Sequence, residues 1–349
     1  MPANGFDTYE AQDKVLVGMS GGVDSSVTVR ILQEQGFAVV GAVIRFSPAH
    51  EKAVREAKDA AKQLGVECIV LDTQELFDQH VVQPFCESYC KGETPNPCIL
   101  CNPAVKFAAL ITAADRLGMQ YIATGHYARV ETDENGVSHV CKAMSTARDQ
   151  SYMLYRLDQS ILSRLLLPLG EFEKDDIREM ARDMGLHCAY APDSMEICFI
   201  PDGDYANFIE QRGMQAKQGH FISPEGKDVG PHKGVLHYTV GQRKGLGIAL
   251  GRPVFIKEIC ENGDILLADA GDELVATIGV DGIAAAAGST IPAGDYTVKI
   301  RSAAKPAPAH YDGAGVLTFD PPVRAPAPGQ SAVFYLDDMV VGGGFLRRI

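Results

Sequence analysis

Val17-Gly18-Met19-Ser20-Gly21-Gly22-Val23-Asp24-Ser25-Ser26 constrains this chain more than any other stretch. It follows a short apolar strand at 15–17 and runs into a helix with Val23, Val27 and Ile31 on one face. Two adjacent glycines permit a tight turn and a close backbone approach to a ligand. The N–H groups of Gly21, Gly22 and the first helical turn then converge beside the hydroxyls of Ser20, Ser25 and Ser26. A strand, a glycine loop and a helix start in that order make an anion site. Neither G-x-x-x-x-G-K-[ST] nor G-x-G-x-x-G is present, so the two commonest phosphate loops are excluded. The plain alternative is a serine-rich helix cap.

The first half of the chain alternates strands (15–17, 38–44, 67–71, 121–124) with helices (24–35, 51–64, 104–117), and a further helix spans 174–184. That rhythm predicts an α/β fold, a parallel sheet with helices on both faces and ligands at the carboxyl ends of its strands. From about Pro201 glycines punctuate short segments, which indicates a small central domain. Beyond about Glu273 alternating runs such as Tyr296-Thr297-Val298-Lys299-Ile300 predict a C-terminal antiparallel β-barrel. The expected domains are therefore 1–200, 201–272 and 273–349. A chain of 349 residues is long enough for such a division. No apolar run approaches the roughly 18 residues of a membrane span. The opening Met1-Pro2-Ala3-Asn4-Gly5 lacks an export signal, so a cytoplasmic location and no membrane partner are expected. A net charge of −13 argues against broad non-specific nucleic-acid binding, though not against a local groove.

Nine cysteines without a regular framework suit a reducing compartment, where thiols serve chemistry. In Thr94-Pro95-Asn96-Pro97-Cys98-Ile99-Leu100-Cys101-Asn102-Pro103, Asn102 reads as an N-cap and Pro103 as the first helical residue. Cys101 would then lie just before a helix N-terminus, whose dipole, with Lys106 one turn along, would favour a thiolate. Cys198 follows the polar loop Asp193-Ser194-Met195-Glu196; taken alone it reads as a buried structural cysteine. Cys86 and Cys90 read as packing residues.

Together these segments resemble the tRNA-specific 2-thiouridylase family, whose S-G-G-x-D-S loop is that of the ATP pyrophosphatases. The resemblance runs from about Lys14 to Phe345. It includes Tyr121-Ile122-Ala123-Thr124-Gly125-His126-Tyr127-Ala128-Arg129, Asp149-Gln150-Ser151-Tyr152-Met153-Leu154-Tyr155, Tyr238-Thr239-Val240-Gly241-Gln242-Arg243-Lys244-Gly245-Leu246-Gly247-Ile248 and Pro328-Gly329-Gln330-Ser331-Ala332-Val333-Phe334-Tyr335. It implies an ATP-pyrophosphatase domain, a connecting domain and a barrel, and a reaction in which ATP adenylates the 2-carbonyl of the wobble uridine of tRNA. A persulfide on Cys198, loaded by a sulfur carrier or a cysteine desulfurase, would then deliver sulfur. Cys101 would release or resolve it through a Cys101–Cys198 disulfide. Mg²⁺ would accompany ATP.

By the same resemblance Gly18, Met19, Ser20, Gly21, Gly22, Val23, Asp24 and Ser25 would hold ATP, with Ile44 and Gly125 near its adenosine. Asn96, Pro97 and Cys98 would surround the flipped base. His126, Arg148, Asp149 and Gln150 would contact tRNA, as would Arg301 and Gln330 from the barrel. Lys233, Arg243 and Lys244 form a basic cluster that suits either phosphates or a solvated face. Cys98 stands where many members carry an aspartate. Either it is a tolerated variant of the persulfide relay, the preferred reading, or Cys98, Cys101 and Cys198 ligate an iron–sulfur cluster. Arg45-Phe46-Ser47 replaces the family's Lys-Asn-Trp run, and Ser302 stands where an aromatic follows Arg301. Rival readings are a synthetase that needs the loop but neither cysteine, and a tRNA-binding protein without catalysis.

Overall fold

The computed structural model describes residues 13–190, 197–288 and 290–349. Asp193-Ser194-Met195-Glu196, singled out above, lies outside them. The described chain forms two compact units.

The first unit comprises 1–80, 98–199 and 338–340 and is built on a five-stranded sheet. Its strands are β1 (Lys14–Gly18), β2 (Ala38–Arg45), β3 (Cys68–Asp72), β4 (Tyr121–Thr124) and the short Leu165–Leu166. Their order is β3-β2-β1-β4 and then Leu165–Leu166, and every pairing is parallel. Val15, Leu16 and Val17 are fully buried, which is why the central strand reads as a continuous apolar run. Helices α1 (Val23–Glu34) and α2 (Glu51–Leu64) follow β1 and β2. The chain builds outward from β1 to β3, then returns to place β4 on the other side of β1. The reversal opens a crevice at the carboxyl ends of β1 and β4, where the glycine loop and Gly125 lie.

The next helix departs from expectation. It runs unbroken as α3 (Pro97–Arg116) rather than starting at Pro103 behind an Asn102 cap. Pro97 takes the first helical position. Pro103 sits inside, within a π-helical stretch Asn102–Phe107 that widens the helix where a proline lacks its N–H. With a mean hydropathy of 1.5 over its best window, α3 is also apolar and long enough to cross a membrane, contrary to the sequence expectation. Half of that window is buried, with Ile99, Val105, Phe107 and Leu110 in the interior, so α3 is accounted for as a core helix.

The second unit comprises 81–97, 200–337 and 341–349. One part is a four-stranded sheet of Val254–Ile259, Ile265–Asp269, His220–Ile222 and Asp228–Pro231, with Phe221, Ile256 and Ile265 in its core. The other is an antiparallel barrel of six strands, closed by Leu274–Ala285 against Met339–Arg347, around Val298, Leu317, Phe319 and Phe334. Segment 81–97, assigned from sequence to the first domain, clusters with this unit. A Cβ on Gly92 would meet the Ile259 side chain at 2.5 Å, and Thr94 donates its N–H to the Pro328 carbonyl at 2.8 Å.

Candidate active site

The glycine loop is held by its own serines. Ser20 N–H donates to Ser25 Oγ at 3.1 Å, and the hydroxyls of Ser25 and Ser26 donate to the Gly22 carbonyl at 3.2 and 2.9 Å. No side chain caps the start of α1 at Gly22. The serines therefore hold the turn without occupying the helix N–H groups, which stay open to an anion. That arrangement disfavours the serine-cap alternative. Gly21 has φ +82°, and a Cβ there would fall 2.8 Å from the Ala57 nitrogen. At Gly125 a Cβ would fall 2.9 Å from Ser25 N, so β4 closes against the start of α1 only because that residue is glycine. Gly18 ends β1, while Met19, Val23 and Ile44 turn buried side chains into the core.

Asp24 has two partners that the sequence did not reveal. Its carboxylate accepts from Lys174 Nζ at 2.7 and 2.8 Å and from the Tyr127 hydroxyl at 2.8 Å. Lys174 begins α4 (Lys174–Asp183) and is only 7% exposed, with its ammonium 5.6 Å from the Tyr127 ring centroid. The pair neutralises a carboxylate that would otherwise repel a phosphate at the helix N-terminus. Nothing local in the sequence links residues 150 positions apart.

The thiols occupy the same unit. Cys101 lies more than one turn inside α3 and is 7% exposed, whereas Cys98, in the first turn, and Cys198 are exposed. Burial pushes the Cys101 thiol up to about 12, and desolvation of the sulfur pushes the Cys198 thiol up to about 11 although that residue as a whole is exposed. Lys106 pulls both down, but by less than burial raises them. The sequence expectation of a dipole-stabilised thiolate at Cys101 is thus reversed, because its helix begins at Pro97, before Cys101 rather than after it, and its sulfur is desolvated. Cys98 adds to the upward shift of Cys198, and both other thiols add to that of Cys101, each by less than burial does.

Profiles described as tRNA methyl transferase HUP domain, tRNA methyl transferase PRC-barrel domain and aminomethyltransferase beta-barrel domain match residues 13–202, 206–269 and 286–346. A tRNA-specific 2-thiouridylase of Acetivibrio thermocellus is 41% identical, covering 97% of this chain and 100% of its own length. One of Carboxydothermus hydrogenoformans is 42% identical over 96% and 98%, and one of Clostridioides difficile 39% over 96% and 98%. This chain belongs to the tRNA-specific 2-thiouridylase family. A 4-thiouridine synthetase–RNA complex with bound ATP is a remote structural likeness, with TM-score 0.39 and 18% identity over 57% of this chain and 50% of that one.

The remaining positions expected to touch RNA in a 2-thiouridylase divide sharply. Arg148 is exposed beside Met144, Thr146 and Ala147. Asp149 accepts from the N–H groups of Ala143 and Ser151 and from the Ser151 hydroxyl. Gln150 clasps Tyr127, donating N–H to its carbonyl at 2.7 Å and accepting from its N–H at 2.9 Å. The His126 ring lies between Thr124 Oγ1 at 2.7 Å and Lys106 Nζ at 3.3 Å. Burial first, then Lys106, holds it well below the ordinary imidazole range, so it is neutral near pH 7. In the second unit Arg301 donates to the Val240 and Ala325 carbonyls at 3.1 and 2.7 Å, and Gln330 to that of Thr94 at 2.5 Å. Asn96 and Pro97 belong to the same unit. Asp149, Gln150, Arg301 and Gln330 thus shape loops from within.

Proposed function

We propose that this chain is an ATP-dependent tRNA 2-thiouridylase of the cytoplasm, which adenylates the 2-carbonyl of the wobble uridine and replaces its oxygen by sulfur carried on Cys198. The observation that carries the reading is one compact unit holding both an open anion loop at the carboxyl end of a parallel sheet and the three cysteines Cys98, Cys101 and Cys198.

The loop supplies N–H groups from Gly21 and the first turn of α1 to the phosphates, while the Ser20 hydroxyl takes the Gly22 N–H at 3.4 Å and, with Ser25, holds the turn. Adenylation turns a poorly electrophilic carbonyl into one with AMP as leaving group. The base must leave its stack to be reached. Cys98 and Arg148, both exposed, are the residues of this unit that best suit contact with the RNA. A persulfide donor loads Cys198, and a second thiol on α3 ends the transfer.

Among the described residues no three His, Cys, Asp or Glu side chains converge on a metal position. The carboxylate of Asp24 is already engaged by Lys174 and Tyr127. The donor set therefore fits neither a protein cage for Mg²⁺ nor, with Cys98, Cys101 and Cys198 ungathered, an iron–sulfur site. An ion accompanying ATP would rest on the phosphates.

The test is AMP and pyrophosphate release with and without unmodified tRNA, alongside formation of 2-thiouridine. Both products should require tRNA. Thiolation with no AMP would remove the loop from the mechanism, and AMP with a non-RNA acceptor would favour a synthetase.

A further inference from the structure

Lys106 and Lys174 both belong to the first unit, and their charges are in different states. Lys174 is neutralised by the Asp24 carboxylate at 2.7 Å. Half-buried Lys106 donates instead to the His126 ring, Nζ to Nε2, at 3.3 Å, and among the described residues it forms no ion pair. An ammonium can only donate, so His126 receives at Nε2 and carries its own proton on Nδ1, which it donates to Thr124 Oγ1 at 2.7 Å. The run Thr124–His126–Lys106 thus fixes a full positive charge without cancelling it.

Its place follows from the packing of α3. That helix leads into β4, which runs parallel to β1, so its earlier residues lie toward the carboxyl ends of both strands. Leu110 meets Gly18, the last residue of β1, where a Cβ would fall 3.2 Å from Leu110 Cδ1 and 3.3 Å from Thr124 Cγ2. Lys106 stands one turn before Leu110, so its side chain starts one turn beyond the level at which the glycine loop begins. Gly125, between Thr124 and His126, lies against the start of α1, with its Cβ position 2.9 Å from Ser25 N.

We infer that Lys106 is a catalytic residue of adenylation, its ammonium meeting the α-phosphoryl oxygens of ATP, and that His126 is the positioning residue that aims it. The inference rests on the thiouridylase reading above and adds a residue to it. In the step, the uridine 2-oxygen bonds to the α-phosphorus as the bond from that phosphorus to the bridging oxygen breaks. Pyrophosphate leaves with the electron pair, and the uridine N3 proton passes to solvent. Negative charge is spread over the α-phosphoryl oxygens in the transition state, where a cation already held in place costs no reorganisation. Lys106 keeps its proton throughout. The competing use of the same charge is to favour a thiolate on Cys101, five residues earlier on α3. Commitment of the ammonium to His126, at the end of β4, favours the phosphate instead.

The test is a single turnover of the full chain, loaded with inorganic polysulfide, with ATP and unmodified tRNA, following pyrophosphate and 2-thiouridine together. Lys106→Met should slow pyrophosphate formation about a hundredfold or more, with 2-thiouridine delayed to match and ATP affinity within a few fold of wild type. Lys106→Arg, which keeps the charge, should recover about tenfold of that loss. The wild type should distinguish the Rp and Sp diastereomers of ATP carrying sulfur on the α-phosphate, and Lys106→Met should lose most of that preference, which a merely structural role would leave intact. His126→Leu should slow pyrophosphate formation while tRNA affinity in a filter-binding assay stays within a few fold. Pyrophosphate at the wild-type rate from Lys106→Met, with only 2-thiouridine delayed, overturns the inference and assigns the ammonium to the thiols. An undiminished diastereomer preference in Lys106→Met overturns it too, as does a His126→Leu variant impaired only in tRNA affinity. Absence of pyrophosphate from the wild type defeats the thiouridylase reading instead.

Discussion

The glycine loop and the thiol face share one unit but are built by opposite means. Around Gly21 the backbone is fixed by local bonds: serines five residues apart or fewer set the turn, and glycine is required where α2 approaches. Around Cys101 what matters is non-local, namely where its helix begins and how deeply its sulfur is buried. A loop that binds a charge needs only correctly aimed backbone. A thiol's reactivity depends on desolvation, which a motif does not record.

The largest break should come at Cys198. Cys198→Ala should abolish 2-thiouridine formation while tRNA affinity stays within a few fold; lost affinity in a filter-binding assay would make the residue structural. Next is the link between Asp24 and Lys174. Asp24→Ala leaves a buried ammonium without its carboxylate and should cost about 2–4 kcal/mol in chemical denaturation, discounted for the partial exposure of Asp24. It should also depress AMP formation; unchanged stability and AMP would make the pair incidental. Gly125→Ala should push the start of α1 aside, costing about 1–3 kcal/mol and weakening ATP use. An ATP affinity equal to wild type would show that β4 does not set the loop.

Smaller effects come from titration. Cys101 and Cys198 are held protonated to about 12 and about 11, against an ordinary value near 9. The native state therefore keeps protons that the unfolded chain releases. Stability should fall as pH rises from about 9 toward 11 and be insensitive to these groups below that window. In the Cys101→Ala variant the decline should be shallower; an identical slope would deny the desolvation argument. Iodoacetamide at neutral pH should reach Cys98 before Cys101, in line with their exposure.

Much of this was legible in the chain. The apolar runs gave the sheet, because parallel strands buried on both faces leave that mark, and Tyr121–Thr124 and Glu51–Leu64 appear with the bounds read from sequence. Alternation after Glu273 announced the barrel. Helix α3 misled because it holds two prolines that could each serve as its first residue, and Pro103 is accommodated inside a π-helical stretch instead. Lys174 was invisible because its partner lies across the unit. Gln330 and Gln150 read as surface contacts because their family motifs say nothing of the carbonyls and N–H groups they hold. The two-residue strand Leu165–Leu166 was too short to carry a period.

The most direct measurement counts products in a single turnover of the wild-type chain carrying radiolabelled sulfur on Cys198. Each label transferred to the wobble uridine should be matched by one AMP, with no transfer when ATP is replaced by an analogue that resists cleavage between its α- and β-phosphates. Label reaching tRNA without matching AMP would contradict the account.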